Sequence, residues 1–334
     1  MEFATAFKLK EMAKKALSNE PPERSMATGG TVARLAFATS TTGNDRPTPI
    51  VGLGISRKRD RPGEFQLAVR YRRADGLAPD AALEELTDLA RGEIDLEETG
   101  EIRLASTVIG PQRPCRLGTS IGVDGFTTAG TLGAFVRRAD DDGLYILSNN
   151  HVLTNENAAP AGTAIVQPGV YDGGSIRERV GELSDWVRVD ATPGSSNLCD
   201  AAIARMDREI CANLSQLKGL GPLAGKSDAE ARYASGELID ARKIGRTTDL
   251  TFGHVMEASM DIEVSFAGRD VTFTNQMGLK PATKAFAARG DSGALVVDAD
   301  LQAIGLLFAV DDNGNSYANH IDSVLNAMNL KLAT

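Results

Sequence analysis

A mainly β protein is what this sequence predicts, with a small α+β unit in front and a helix at the end. Two textures carry the prediction. From about residue 117, short apolar or β-branched runs follow one another between turn signals: GTLGAFVRR, GLYILSNN, GTAIVQPG, ERVGELSDWVRV, LCDAAIARM, KIGRT, LTFGHVMEA, IEVSF, DVTFTNQM, SGALVVD and AIGLLFAV. Runs so regularly spaced, with few helical stretches among them, indicate a β-barrel or sandwich rather than a parallel α/β sheet. Before about residue 105, helical and strand-like stretches mix, and the chain divides there.

Taken in order, residues 6–18 read as a helix, with Leu9, Met12, Ala13 and Ala16 at the i, i+3, i+4, i+7 spacing of one face. That face suits docking on the protein's own body, with a membrane-surface helix as the alternative. The stretch 19–48, rich in Pro, Gly, Ser, Thr and Asn, contains loop. PIVGLGISR and EFQLAVRYR read as strands separated by the charged turn RKRDRPG. APDAALEELTDLARG reads as a helix, capped by Asp80 and ended by Gly92. The tail HIDSVLNAMNL has helical spacing and should close the last domain. The resulting division is a helix and linker over 1–28, an α+β unit with a structural or regulatory role over 29–105, and the β domain over 106–334.

Composition narrows the function classes. The net charge of −9 and pI near 5.0 argue against nucleic acid or an anionic membrane as main partner, since both require basic surface. No run of 18 apolar residues spans a membrane, and MEFATAFKLKEMAKKAL lacks the continuous apolar segment of a signal peptide. Three cysteines, Cys115, Cys199 and Cys211, without CxxC spacing make neither a disulfide framework nor a zinc site. Reduced thiols in a cytoplasmic protein are expected, with no cofactor. No HExxH or clustered His/Asp spacing points to a metal.

One segment raises a chemical question. ARGDSGALVV, residues 288–297, runs a glycine-flanked serine, Ser292, into an apolar strand. A serine hydroxyl is a poor nucleophile until a neighbouring base takes its proton. Three histidines are available. His254 lies mid-strand in LTFGHVMEA, and His320 opens the terminal helix. His151 sits where the strand of YILSNNHVL empties into a polar segment, a place for a rigid, half-exposed imidazole or for a structural one. Asp200, in NLCDAAIARM, is a lone carboxylate opening an apolar strand, and a buried aspartate requires a partner.

His151, Asp200 and Ser292 stand in the order and spacing of the trypsin-like (chymotrypsin-fold) serine peptidases, with SNNHVL, DAAIA and GDSGALVV resembling that family's three local words. The resemblance spans roughly residues 117–330. It is closest to the bacterial and plant branch without disulfides, which TAGTLGAFV, KIGRTT and AIGLLFA also resemble. It implies a double six-stranded antiparallel β-barrel. It further implies a serine endopeptidase using an acyl-enzyme, with Ser292 as nucleophile, His151 as base and Asp200 as its orienter. The amides of Gly290 and Ser292 become the oxyanion donors, and Asp291 shapes the loop. An α/β-hydrolase elbow fits worse, because position 294 is alanine where G-x-S-x-G needs glycine.

The resemblance also places Phe286, six residues before the serine, at the base of the pocket for the residue preceding the scissile bond. Leu306–Val310 then forms a wall, with Leu307, Phe308, Ala309 and Val310 binding substrate. Lacking a carboxylate at 286, that pocket should favour small or apolar residues, although Asp311 and Asp312 lie just beyond. In digestive relatives the aspartate before the serine pairs with a new amino terminus. Here either an internal partner serves Asp291, or the N-terminal region must be cut, with RPCRLG at 113–118 as a joint. The expected partner is a protein or peptide substrate, and one dedicated protein is compatible with everything above. The competing reading is a protein-binding module or latent pseudo-protease that recognises a partner with little cleavage.

Overall fold

LTFGHVMEA and IEVSF, two strands in the sequence, are one in space. The computed structural model describes residues 1–18, 50–58, 61–71, 81–99 and 111–334, and there Asp249–Phe266 is a single 18-residue strand. Ser259, with φ of 55°, puts an irregularity into its middle, and the register against Arg269–Pro281 shifts on both sides of Met260. A bulge bends a strand without ending it, so the sequence shows an interruption where the chain keeps pairing. The 19–48 loop, the Asp80 cap and the junction near residue 105 lie outside the described residues.

That long hairpin closes a barrel. Arg269–Pro281 pairs with Ser316–His320, which pairs with Gln302–Val310, then Leu295–Val297, Asp240–Gly245 and Asp249–Phe266, and the last returns to the first. All six pairings are antiparallel. The first half of the β region forms another sheet, in the order Ala134–Arg138, Tyr145–Ser148, Ala202–Met206, Arg179–Trp186, Ala164–Val166, Ser120–Val123. Short strands Leu330–Leu332 and Gly130–Thr131 flank it. Two six-stranded antiparallel systems, with the short helix Ile321–Ala327 leading into the last strand, make up the chymotrypsin-type architecture.

Each system buries its own apolar side chains. Phe135, Leu147, Ile165 and Ile203 centre the first core, and Val255, Leu279, Val296 and Ile304 the second. The joint RPCRLG is built into this framework: Cys115–Arg116 pairs with Ala212–Asn213, and the Cys115 amide donates to the Cys211 carbonyl at 2.8 Å.

The N-terminal strands extend the second sheet. Ile50–Arg57 pairs with the outer half of Asp249–Phe266, Gly52 opposite Ile262 and Ser56 opposite Glu257; Phe65–Tyr71 and Ile94–Glu98 follow outward. The helix Phe3–Ser18 packs against them, placing Ala13 and Leu17 among Leu53, Leu67 and Leu86. Buried ions fasten the seam. Lys10 reaches Asp261 at 2.9 Å, and Arg70 pairs with Glu257, Asp95 and Glu97. Burial pushes the Glu257 carboxyl above its ordinary range while Arg70 pulls it down, so Arg70 compensates a charge that has no water. No helix among the described residues is long and apolar enough to cross a membrane.

Candidate active site

Strand register brings His151 and Asp200 together. Tyr145–Ser148 and Ala202–Met206 are antiparallel neighbours with Ser148 opposite Ala202. The residue three beyond one strand's end therefore meets the residue two before the other's start. Leaving the first strand, the chain turns into the short helix Asn150–Leu153, which carries His151 in its first turn. The Asn149 side chain donates to the Asp200 carbonyl, and Asn150 to the Val187 carbonyl, each at 2.7 Å. His151 Nδ1 lies in hydrogen-bond contact with Asp200 Oδ2, while Asp200 Oδ1 accepts the His151 amide at 3.1 Å. The Asp200 amide donates to Asn319 Oδ1 at 3.1 Å, tying this pair to the second barrel. An ionised carboxylate only accepts, so Nδ1 carries the proton and Nε2 is left as the basic nitrogen. Neighbouring Cys199 is no competitor, since burial pushes its thiol up to about 12.

Ser292 sits in a loop held from four sides. Asp291, fully buried, accepts from the amides of Thr247 at 2.8 Å, Thr248 at 3.2 Å and Ala288 at 3.0 Å, and from the Thr248 hydroxyl at 2.7 Å. Lys243 Nζ stands 3.2 Å from the same carboxylate, with both side chains inaccessible. Asp291 thus has an internal cation, and no new amino terminus is needed to hold it. Burial pulls the Lys243 ammonium below its ordinary range, and Asp291 opposes that pull.

Gly290 has a φ of 98°, and a Cβ there would overlap the Arg246 guanidinium. Only glycine satisfies both the backbone and the space. Arg246 in turn pairs with buried Asp172, donating from Nε at 2.7 Å. Across the barrel junction, the Thr131 hydroxyl donates to the Gly290 carbonyl and the Thr131 amide to the Ser292 carbonyl, both at 2.7 Å. Among the described residues, the amides of Gly290 and Ser292 donate to no protein group.

His151 and Ser292 line one cavity of about 330 Å³, with Thr128, Glu156, Tyr171 and Arg289 also on its wall. No hydrogen bond joins them among the described residues; the Ser292 hydroxyl donates to the Phe308 carbonyl at 3.3 Å. Phe286, Leu307, Phe308, Ala309 and Val310 are not on that wall. Phe286 is fully buried in the second core, Leu307 with it, and the Phe308 ring packs tilted against Phe273, centres 5.0 Å apart. Asp311 accepts from the amides of Asn313 and Asn315, the Asn315 side chain and the Tyr317 hydroxyl. Its carboxylate organises a loop, and burial pushes it up to about 6 despite those donors.

The sequence reading missed Lys243, the Arg246–Asp172 pair and Asn319. Lys243 stands next to Arg242 in the strand Asp240–Gly245, and nothing local says which of the two cations faces inward. Asp172 and Asn319 lie far from their partners along the chain, and no local pattern marks them.

No family profile matches the chain, and no curated protein does. Solved structures similar to it include a chymotrypsin of Cellulomonas bogoriensis at 16% identity, covering 65% of this chain and 97% of that one with a TM-score of 0.43. Protease A of Thermobifida fusca, at 15% identity, covers 66% and 100% with a TM-score of 0.45, and a Nocardiopsis protease at 18% identity gives the same coverage and score.

Proposed function

We propose that this protein is a serine endopeptidase, with residues 106–334 as its catalytic domain. One observation carries the reading. The His151–Asp200 contact leaves Nε2 of the imidazole basic in the same cavity as Ser292. The Ser292 hydroxyl would turn from the Phe308 carbonyl, lose its proton to Nε2 and attack a peptide carbonyl. The resulting oxyanion would be held by the uncommitted amides of Gly290 and Ser292. His151 would then return the proton to the leaving amine, and water would release the acyl group by the same route. Asp200 keeps the tautomer fixed and stabilises the imidazolium.

For the residue before the scissile bond, a small or apolar side chain remains our reading. Phe286 and Phe308 supply no charge, and Asp311 is occupied by its own loop. The substrate is a protein or peptide, and the reading extends to a single dedicated protein in the cytoplasm.

The test is a fluorophosphonate probe applied to the full chain beside Ser292→Ala, with the label located by mass spectrometry. Labelling at Ser292 that vanishes in the variant is expected. Absence of label from the folded full chain would transfer the reading to a partner-binding module. The Ser292 hydroxyl bond to Phe308 is the observation that favours such a resting form.

A further inference from the structure

The loop that follows His151 is built against its own backbone preferences. Asn155, Glu156 and Asn157 take φ values of 49°, 59° and 68°, three successive non-glycine residues in the left-handed region. Asparagine tolerates that region, whereas glutamate has no such preference. The strain is held by a dense set of bonds. Asn157 accepts the Asn150 side-chain amide at 2.7 Å, donates to the Val189 carbonyl at 2.9 Å, and receives further support from Thr154. Strain maintained by so many partners marks a position whose placement matters. What it places is Glu156, on the wall of the cavity that holds His151 and Ser292.

Among the described residues, Glu156 accepts no hydrogen bond and pairs with no cation, although Arg289 lines the same cavity. The exposed ring of Tyr171 completes that wall, with 49% of the residue accessible. The Arg246 guanidinium lies 5.7 Å from the centre of that ring, its charge already paired with Asp172, and about half of Tyr171 stays accessible. A carboxylate on a fixed backbone sharing a cavity with that accessible aromatic surface matches a long cationic side chain. The ring packs its methylene stem and attracts its charge, and the carboxylate takes its head. Arg289 is an opposite bias toward anions, but it is exposed, and an exposed charge contributes little. Half-buried Glu156 is the stronger determinant.

We infer that Glu156 and Tyr171 form a recognition site for a lysine or arginine of the substrate on the leaving-group side of the scissile bond. The inference rests on the peptidase reading for its orientation. The cavity excludes Leu306–Val310, the strand expected along the acyl side, and includes His151, which protonates the leaving amine.

Binding to full-length Ser292→Ala at physiological salt tests this without turnover. The probes are three fluorescein-labelled octapeptide pools, capped at both ends and randomised among neutral residues, each carrying one Lys, one Gln or one Glu. Anisotropy should show the Lys pool binding about five- to tenfold tighter than the Gln pool. Adding Glu156→Gln should bring that ratio to about one, and Glu156→Lys should turn the preference to the Glu pool. Equal affinity for all three pools, no binding of any, or a Lys preference that survives Glu156→Gln would each overturn the inference. Fluorophosphonate labelling of the chain with Ser292 intact separates the two readings. Label without charge preference leaves the peptidase and removes the site; charge-dependent binding without label does the reverse.

Discussion

Lys243 Nζ stands 3.2 Å from the carboxylate of Asp291, and neither side chain reaches solvent. A buried pair of this kind adds little net stability over an apolar pair, but removing one member leaves an uncompensated charge. Lys243→Met should therefore cost about 3–5 kcal/mol and abolish labelling of Ser292. The double variant Lys243→Met/Asp291→Asn should recover part of the melting temperature, because the amide oxygen still accepts from Thr247 and Thr248, and none of the labelling. Equal losses in single and double variants, followed by thermal denaturation, would show that the pair is not coupled.

Gly290→Ala should be far more damaging than its one added methyl suggests. A Cβ at that position overlaps Arg246 and forces an L-residue to a φ of 98°. On the proposed mechanism, displacing the loop should remove at least one oxyanion donor, worth about 100- to 1000-fold in rate. Gly268→Ala is the companion variant: its φ of 73° is also positive, but nothing lies within 4 Å. It should cost about 1 kcal/mol and leave the rate of labelling unchanged.

Asp200→Asn should preserve the fold and lower peptidase kcat by about 10⁴-fold, because an amide can present its N–H to Nδ1 and favour the wrong imidazole tautomer. A circular dichroism spectrum like the parent's alongside that loss is the expected pair of results. A variant with near-parental turnover would remove Asp200 from the mechanism.

Acid should reveal Asp311. Its carboxyl is pushed up to about 6 by burial, so between about pH 4 and pH 6 the folded chain binds a proton that the unfolded chain has released. Stability contributed by this group is present at low pH and is lost as pH rises through that window, by on the order of 3 kcal/mol. Asp311→Asn should flatten that part of the stability curve in urea titrations at stepped pH. His320, whose imidazole burial holds below its ordinary range, works in the opposite sense and weakens the fold as pH drops below about 6.5. A His320→Gln variant therefore needs its own curve.

The β architecture was legible because period and punctuation repeat along the chain. The long strand was not, since Ser259 interrupts the pattern while the ladder continues. Three local words marked His151, Asp200 and Ser292 as candidates; the structure puts the first two in contact and the first and third on one cavity. Lys243 was not distinguishable from its neighbour Arg242, since both are cations of the same strand. The Arg246–Asp172 strut was invisible, because its members are 74 residues apart and neither stands in a patterned position. Phe286 and its neighbours on Leu306–Val310 were placed as substrate-binding residues by the resemblance alone, and their burial is what the structure adds.

Arg70→Met should show how far the two parts of the chain share one transition. Arg70 is the compensating partner of buried Glu257 on the long strand and of Asp95 and Glu97 on the outer one. Its loss should cost about 3–5 kcal/mol. Near-ultraviolet signals from the barrel and hydrogen exchange in Ile50–Arg57 should fail together on heating. Early exchange of Ile50–Arg57 with the barrel intact would show two independent units.

The pairing of Gly52 with Ile262 also sets a timetable. The first strand leaves the ribosome about 210 residues before its partner, which at 5–20 residues per second is a wait of roughly 10–40 s. During that interval Ile50–Arg57 carries an open, largely apolar edge with nothing to receive it. A nascent chain in this condition presents the kind of apolar edge that holding chaperones bind.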